Sequence, residues 1–122
     1  MPAEPSLHDE KCVPCRGDVP QASADEIAAL LTLLPRWQVS VREGVPGLER
    51  RIGCRGFAAA LGMANAVGEI SEAAGHHPEL VVAWGSITVR WWTHALSGLH
   101  RNDFVMAART DRLLDDSAEP KP

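Results

Sequence analysis

Apolar positions along this chain alternate between two spacings, and each change of spacing marks a new element. Ile27, Leu30, Leu31 and Leu34 recur at helical intervals. They follow Ser23-Ala24-Asp25-Glu26, with a serine cap and a glutamate three residues on, so a first helix is predicted up to Pro35. Trp37 to Val41 alternates apolar and polar, the stretch from Gly44 to Gly47 turns the chain, and Leu48 to Ile52 returns as the second strand of a hairpin. From Phe57 the period is again 3.6, with Phe57, Leu61, Ala64, Val67 or Gly68, and Ile70 or Ser71 on one face. Those small residues would let a helix lie close to a sheet, and Gly75 is its expected C-cap. Leu80 to Trp84 and Ser86 to Thr93 pair around Gly85, and the continuing alternation puts His94 on the face of Trp92. A loop containing Gly98 leads to a last helix from about Asn102, with Phe104, Ala107, Ala108 and Leu114 facing the core. The order α-β-β-α-β-β-α predicts an α+β domain whose four-stranded antiparallel sheet is covered on one face by helices.

The ends differ in character. Residues 1–22 hold Pro2, Pro5, Pro14 and Pro20 and few large apolar side chains, so a flexible Pro-rich N-terminal arm is expected, followed by one domain over 23–114 and a polar tail over 115–122. A chain of 122 residues suits a single modest core. Its net charge of −4, with no block of Lys or Arg, argues against nucleic acid and anionic membrane as partners. The apolar run from Ile27 to Leu34 is far short of the ~20 residues that span a bilayer, and the acidic, proline-bearing start lacks the apolar core of a signal peptide. A cytoplasmic location is expected, and the odd count of three cysteines agrees with it. Cys12-Val13-Pro14-Cys15 is a CxxC, but zinc needs a second ligand pair that Cys54 alone does not supply, so no metal is expected there.

The chemistry lies in Gly75-His76-His77-Pro78 and Thr93-His94. Histidine exchanges protons near neutrality, and three imidazoles within reach of one pocket point to proton transfer. His76 and His77 fall just past a helix C-terminus, whose carbonyl end favours a protonated imidazole by a few tenths to ~1 kcal/mol. Pro78 biases His77 towards extended backbone and drives the chain out of the helix. Trp84 and Trp92 read by default as sheet-packing residues, Glu72 as a solvated helical carboxylate, and Asp103 as a first-turn residue favoured by the helix dipole.

Taken together, Glu72, three residues, His76-His77-Pro78, five residues, Trp84, nine residues, His94, eight residues and Asp103 resembles the signature of the pterin-4a-carbinolamine dehydratases, also known as dimerisation cofactors. The resemblance runs from about Ser23 to Leu114. It implies removal of water from a 4a-hydroxytetrahydropterin to give the quinonoid dihydropterin. By the family's roles His76 and His94 would be the acid and base and His77 would hold the pterin. Pro78 and Trp84 would shape the pocket, and Glu72 and Asp103 would orient histidines or the pocket wall. The resemblance implies no metal or organic cofactor, and self-association as a homodimer or tetramer. Three positions depart from the usual pattern: Ala95 follows Thr93-His94 where an acidic or polar residue is common, Trp92 adds a bulky ring beside His94, and His100 replaces the Ser or Thr that caps the last helix, leaving Asn102 as the expected cap. These departures keep open a second function of another class. Some proteins with this fold resemble RuBisCO assembly factors of the α-carboxysome, which bind the RuBisCO large subunit instead of turning over pterin.

Overall fold

The structure, a computed structural model, describes residues 7–10 and 21–116, the last three without their side chains. The elements are α1 (Ala24–Leu31), β1 (Gln38–Arg42), β2 (Val45–Gly53), α2 (Phe57–Ala74), β3 (Glu79–Ala83), β4 (Ser86–Trp91) and α3 (Arg101–Asp116). The four strands form one antiparallel sheet in the order β1-β2-β4-β3. The expected α+β order is therefore observed.

Local chemistry explains the element ends. Ser23 Oγ accepts from the Glu26 N–H at 3.1 Å, the cap that opens α1. The first hairpin turns at Glu43-Gly44 and not over 44–47: both residues have positive φ, 52° and 79°, as a two-residue loop with the twist of the flanking strands requires. Arg42 then pairs with Val45, so β2 begins earlier than expected. The ladder of β4 also ends earlier, at Trp91; Thr93 makes only an isolated bridge with Gly98, and His94 opens a short 3₁₀ turn over His94–Leu96.

Leu48, Ile52, Ile87, Val89 and Trp91 bury one face of the sheet against α2 and α3. Fully burying such side chains stabilises by ~1.5–3 kcal/mol each. The helix α2 presents Ala60, Ala64, Val67 and Ser71 inward, while Phe57 and Leu61, expected on that face, are exposed. The stripe turned to the core is the one whose small side chains permit close approach to the sheet. From α3, Phe104, Val105, Met106 and Ala107 are buried. Arg50 on β2 pairs with Asp111, which also accepts from Trp37 Nε1 at 2.9 Å, so sheet and helix share one polar tie.

Within the 1–22 stretch expected to be flexible, the described residues are held. Leu7–Asp9 forms a 3₁₀ turn with Leu7 buried against α3. Arg109 donates from Nε to the His8 carbonyl at 3.2 Å and from Nη2 to that of Glu10 at 2.5 Å. Arg101 grips both Glu10 carboxylate oxygens at 2.8 Å. Further on, Ala22 N–H donates to the Leu99 carbonyl at 2.8 Å, and Gln21 Nε2 to that of Leu96 at 2.9 Å. Cys12 and Cys15 lie outside the described residues. Cys54 is buried. No helix among the described residues is long and apolar enough to cross a membrane.

Candidate functional site

The helix α2 ends on Gly75, whose φ of 65° is the left-handed conformation that glycine adopts without a side-chain clash. The Gly75 N–H donates to the Glu72 carbonyl at 3.2 Å and the His76 N–H to that of Ser71 at 3.1 Å, closing the last turn. This reversal sends His76 inward and His77 outward. His76 is 8% exposed and its ring lies parallel to the Trp91 indole, at 5.7 Å between centroids and 5° between planes. His76 Nε2 donates to Asp103 Oδ1 at 2.6 Å. With Asp103 as a carboxylate, which only accepts, the proton of this contact is carried on Nε2.

Asp103 is fully buried, and its charge is matched by donors from three places in the chain. Beyond His76, its Oδ2 accepts from the Thr93 hydroxyl at 2.8 Å and from the His100 N–H at 2.9 Å. A buried carboxylate is tolerated only when so satisfied. Asp103 therefore joins the end of α2, the residue preceding His94 and the start of α3. The last contact is the reciprocal half of a helix cap, since Asp103 occupies the third position of α3. The other half comes from His100, not Asn102: His100 Nδ1 accepts from the Asn102 N–H at 3.1 Å. An imidazole nitrogen lone pair here serves where a Ser or Thr oxygen is usual.

His77 has 57% of its side chain exposed and reaches back over the last turn of α2, with Nε2 2.5 Å from Glu72 Oε1. Pro78, half-buried, begins the exit into β3. His94 is exposed, and its ring stacks on Trp92 at 4.5 Å and 16°. Arg90 continues this row, its guanidinium 4.8 Å from the Trp92 ring. Ala95, next along, is exposed and adds no polar side chain.

The antiparallel register shows which of these residues share one end of the sheet. Glu79 pairs with Arg90, so His76, His77 and Pro78, entering β3, lie at the end where Trp91, Trp92 and His94 leave β4. Trp84 does not join them. It sits in the turn between β3 and β4, 77% exposed, near the Gly56 that precedes α2. Four strand steps separate Glu79 from Ala83, roughly 13 Å. The tryptophans at the histidine end are Trp91 and Trp92. Sequence spacing alone could not separate the two groups, because the hairpin turn at Gly85 brings the chain back only after Trp84 has passed to the far end.

This end of the sheet thus offers two exposed imidazoles, one beside a carboxylate and one on an indole, next to a third that is buried and oriented by a buried aspartate. Such an arrangement can donate and accept protons near neutral pH. Among the described residues no group of three or more His, Cys, Asp or Glu side chains is placed to hold a metal ion.

Comparison with known proteins gives the fold and the family. The crystal structure of a transcriptional coactivator/pterin dehydratase from Brucella melitensis is similar to this chain with a TM-score of 0.69 and 24% identity, over 77% of this chain and 98% of that one. A pterin dehydratase-like protein identified as a RuBisCO assembly factor in the alpha-carboxysome is similar with a TM-score of 0.54 and 22% identity, over 66% of this chain and 92% of that one. At these identities the likeness is one of fold. The sequence pattern of the family described as pterin 4 alpha carbinolamine dehydratase matches residues 20–113, which include the three histidines and the aspartate that holds one of them, and the chain belongs to that family.

Proposed function

We propose that this protein dehydrates a 4a-hydroxytetrahydropterin to the quinonoid dihydropterin by histidine acid–base catalysis. The observation that carries the reading is the grouping of His76, His77 and His94 at one end of the sheet, with His76 fixed by the buried Asp103. In the reaction the C4a–O bond breaks and its electron pair leaves with the oxygen, which takes a proton from an imidazolium and departs as water. The N5 proton passes to a base as the N5 lone pair forms the C4a=N5 bond. Positioned transfers of this kind contribute ~10²–10⁴-fold.

Exposure distributes the tasks. A general acid or base has to touch the substrate, and His77 and His94 are the imidazoles open to solvent. Glu72 orients His77. His76 has its Nε2 committed to Asp103 and forms the wall, with Pro78 beside it. This allocation exchanges the roles that the family resemblance implies for His76 and His77. Trp84, at the other end of the sheet, takes no part in the pocket. The test is a dehydration assay on freshly generated 4a-hydroxytetrahydropterin. His77→Ala and His94→Ala should each lose at least about 100-fold. Turnover by the wild type no faster than the spontaneous reaction would overturn the proposal.

A second reading, assembly of RuBisCO through its large subunit, draws on the carboxysome relative and on Trp92, which covers one face of His94. It requires the yield of assembled RuBisCO in a co-expression host to rise when this chain is added; an unchanged yield removes it. Both readings include a homodimer or tetramer in the cytoplasm, checked by light scattering on the purified chain and by fractionation.

A further inference from the structure

We propose that Arg90 and Trp92 are positioning residues for His94, Trp92 as the plate on which the imidazole lies and Arg90 as the buried anchor of that plate. This rests on the acid–base reading above, in which His94 meets the substrate. The three residues are spaced two apart and form a row in which each touches the next. An exposed imidazole at the start of a short turn would otherwise rotate about both side-chain torsions, and that freedom is lost from any reaction geometry.

The anchor is rigid by construction. Arg90 is 3% exposed, and its guanidinium donates to the Ser40 hydroxyl at 3.0 Å, the Ser40 carbonyl at 3.1 Å and the Val45 carbonyl at 2.7 Å. Its place exists because position 47 is glycine: a Cβ there would lie 2.6 Å from the Arg90 Cζ. A planar guanidinium so fixed offers a face to the indole that a flexible ammonium would not hold. Trp92 itself lies past the last rung of the ladder, so its neighbours, and not strand pairing, set its ring.

The backbone under His94 is held independently. The Thr93 N–H donates to the Gly98 carbonyl at 2.8 Å, and the Ser97 N–H to that of His94 at 3.2 Å. Gln21 donates to the Leu96 carbonyl and packs where a side chain at position 98 would go. With backbone and ring both fixed, one face of the imidazole is covered by indole. A flat ligand therefore meets His94 at its nitrogen edge or on its free face.

Two measurements on the full chain test this. Proton NMR should show the His94 ring protons, assigned with His94→Gln, shifted upfield by the indole. Trp92→Leu should return them to the position of a solvated histidine, Trp92→Phe should retain part of the shift, and Arg90→Lys should reduce it. In the dehydration assay, Trp92→Leu should lower kcat about tenfold with KM nearly unchanged, and Trp92→Phe should recover most of the loss. An unshifted His94 in the wild type, a shift that survives Trp92→Leu, or an unchanged kcat in Trp92→Leu beside an active wild type would each overturn the inference. A wild type without turnover would instead refute the acid–base reading, while the ring shifts would still decide whether His94 is held.

Discussion

Asp103 shows how much one residue can organise. Its carboxylate faces two donors that can adapt and one that cannot: His76 can move its proton, Thr93 can rotate its hydroxyl, but the His100 N–H is fixed. In Asp103→Asn the amide oxygen therefore has to face His100, and its NH₂ has to face His76. His76 is then expected to carry its proton on Nδ1 and accept at Nε2, a tautomer change that nitrogen chemical shifts report directly. Urea denaturation should show a loss of about 1–3 kcal/mol, since one buried partner is less well matched. The spacing in the sequence marks Asp103 as part of the candidate site but not as its buried hub. A first-turn aspartate reads equally well as a solvated helix-dipole residue until the tertiary contacts are known.

At the scale of elements, alternation and helical spacing are enough to order all seven, even β1, whose apolar Val39 and Val41 are exposed. They fail where a single side chain or turn geometry decides. The positive φ of Glu43 is invisible to a search for glycine and proline, which puts the first turn at 44–47. Helical spacing puts Ala64, Val67 and Ser71 on the core face of α2, where they are, but adds the bulky Phe57 and Leu61, whereas close approach to the sheet selects Ala60 in their place. The sequence points to Asn102 as the cap because an imidazole acceptor such as His100 lies outside the usual Ser, Thr, Asp and Asn set. Gly75 was legible, since a glycine after a helical run has a mechanism behind it. Nothing lies within 4 Å of a Cβ built on Gly75, so Gly75→Ala introduces backbone strain and no clash. It should cost about 1 kcal/mol in thermal or chemical unfolding. His76 and His77 follow directly, so the same change should also lower dehydration activity.

On the scale of the whole molecule, residues 7–10 and 21–22 are tied to the domain. The proline content predicts a mobile or surface-draped arm; within it Leu7 is buried against α3, and three arginines of that helix reach the residues that follow. Composition alone cannot reveal a docking site supplied by the other end of the chain. The Arg101 guanidinium, donating to both carboxylate oxygens, holds the Glu10 carboxyl below its ordinary 4.5. A carboxyl lowered on folding stabilises above its unfolded pKa and loses that contribution as pH falls through its folded value. Glu10→Gln should accordingly be less stable than the wild type at pH 7, by below about 1 kcal/mol for so exposed a pair, and the gap should close as pH drops under about 4. Paired denaturation curves at the two pH values measure this. The antiparallel return of β3 into β4 has a consequence of another kind: it separates the indoles optically. Trp91 and Trp37 are buried and Trp92 is half-buried, while Trp84 stands in solvent at the far end of the sheet. Acrylamide should quench a red-shifted part of the emission that Trp84→Phe abolishes, so the protein carries its own fluorescent label for whatever lands opposite the histidines.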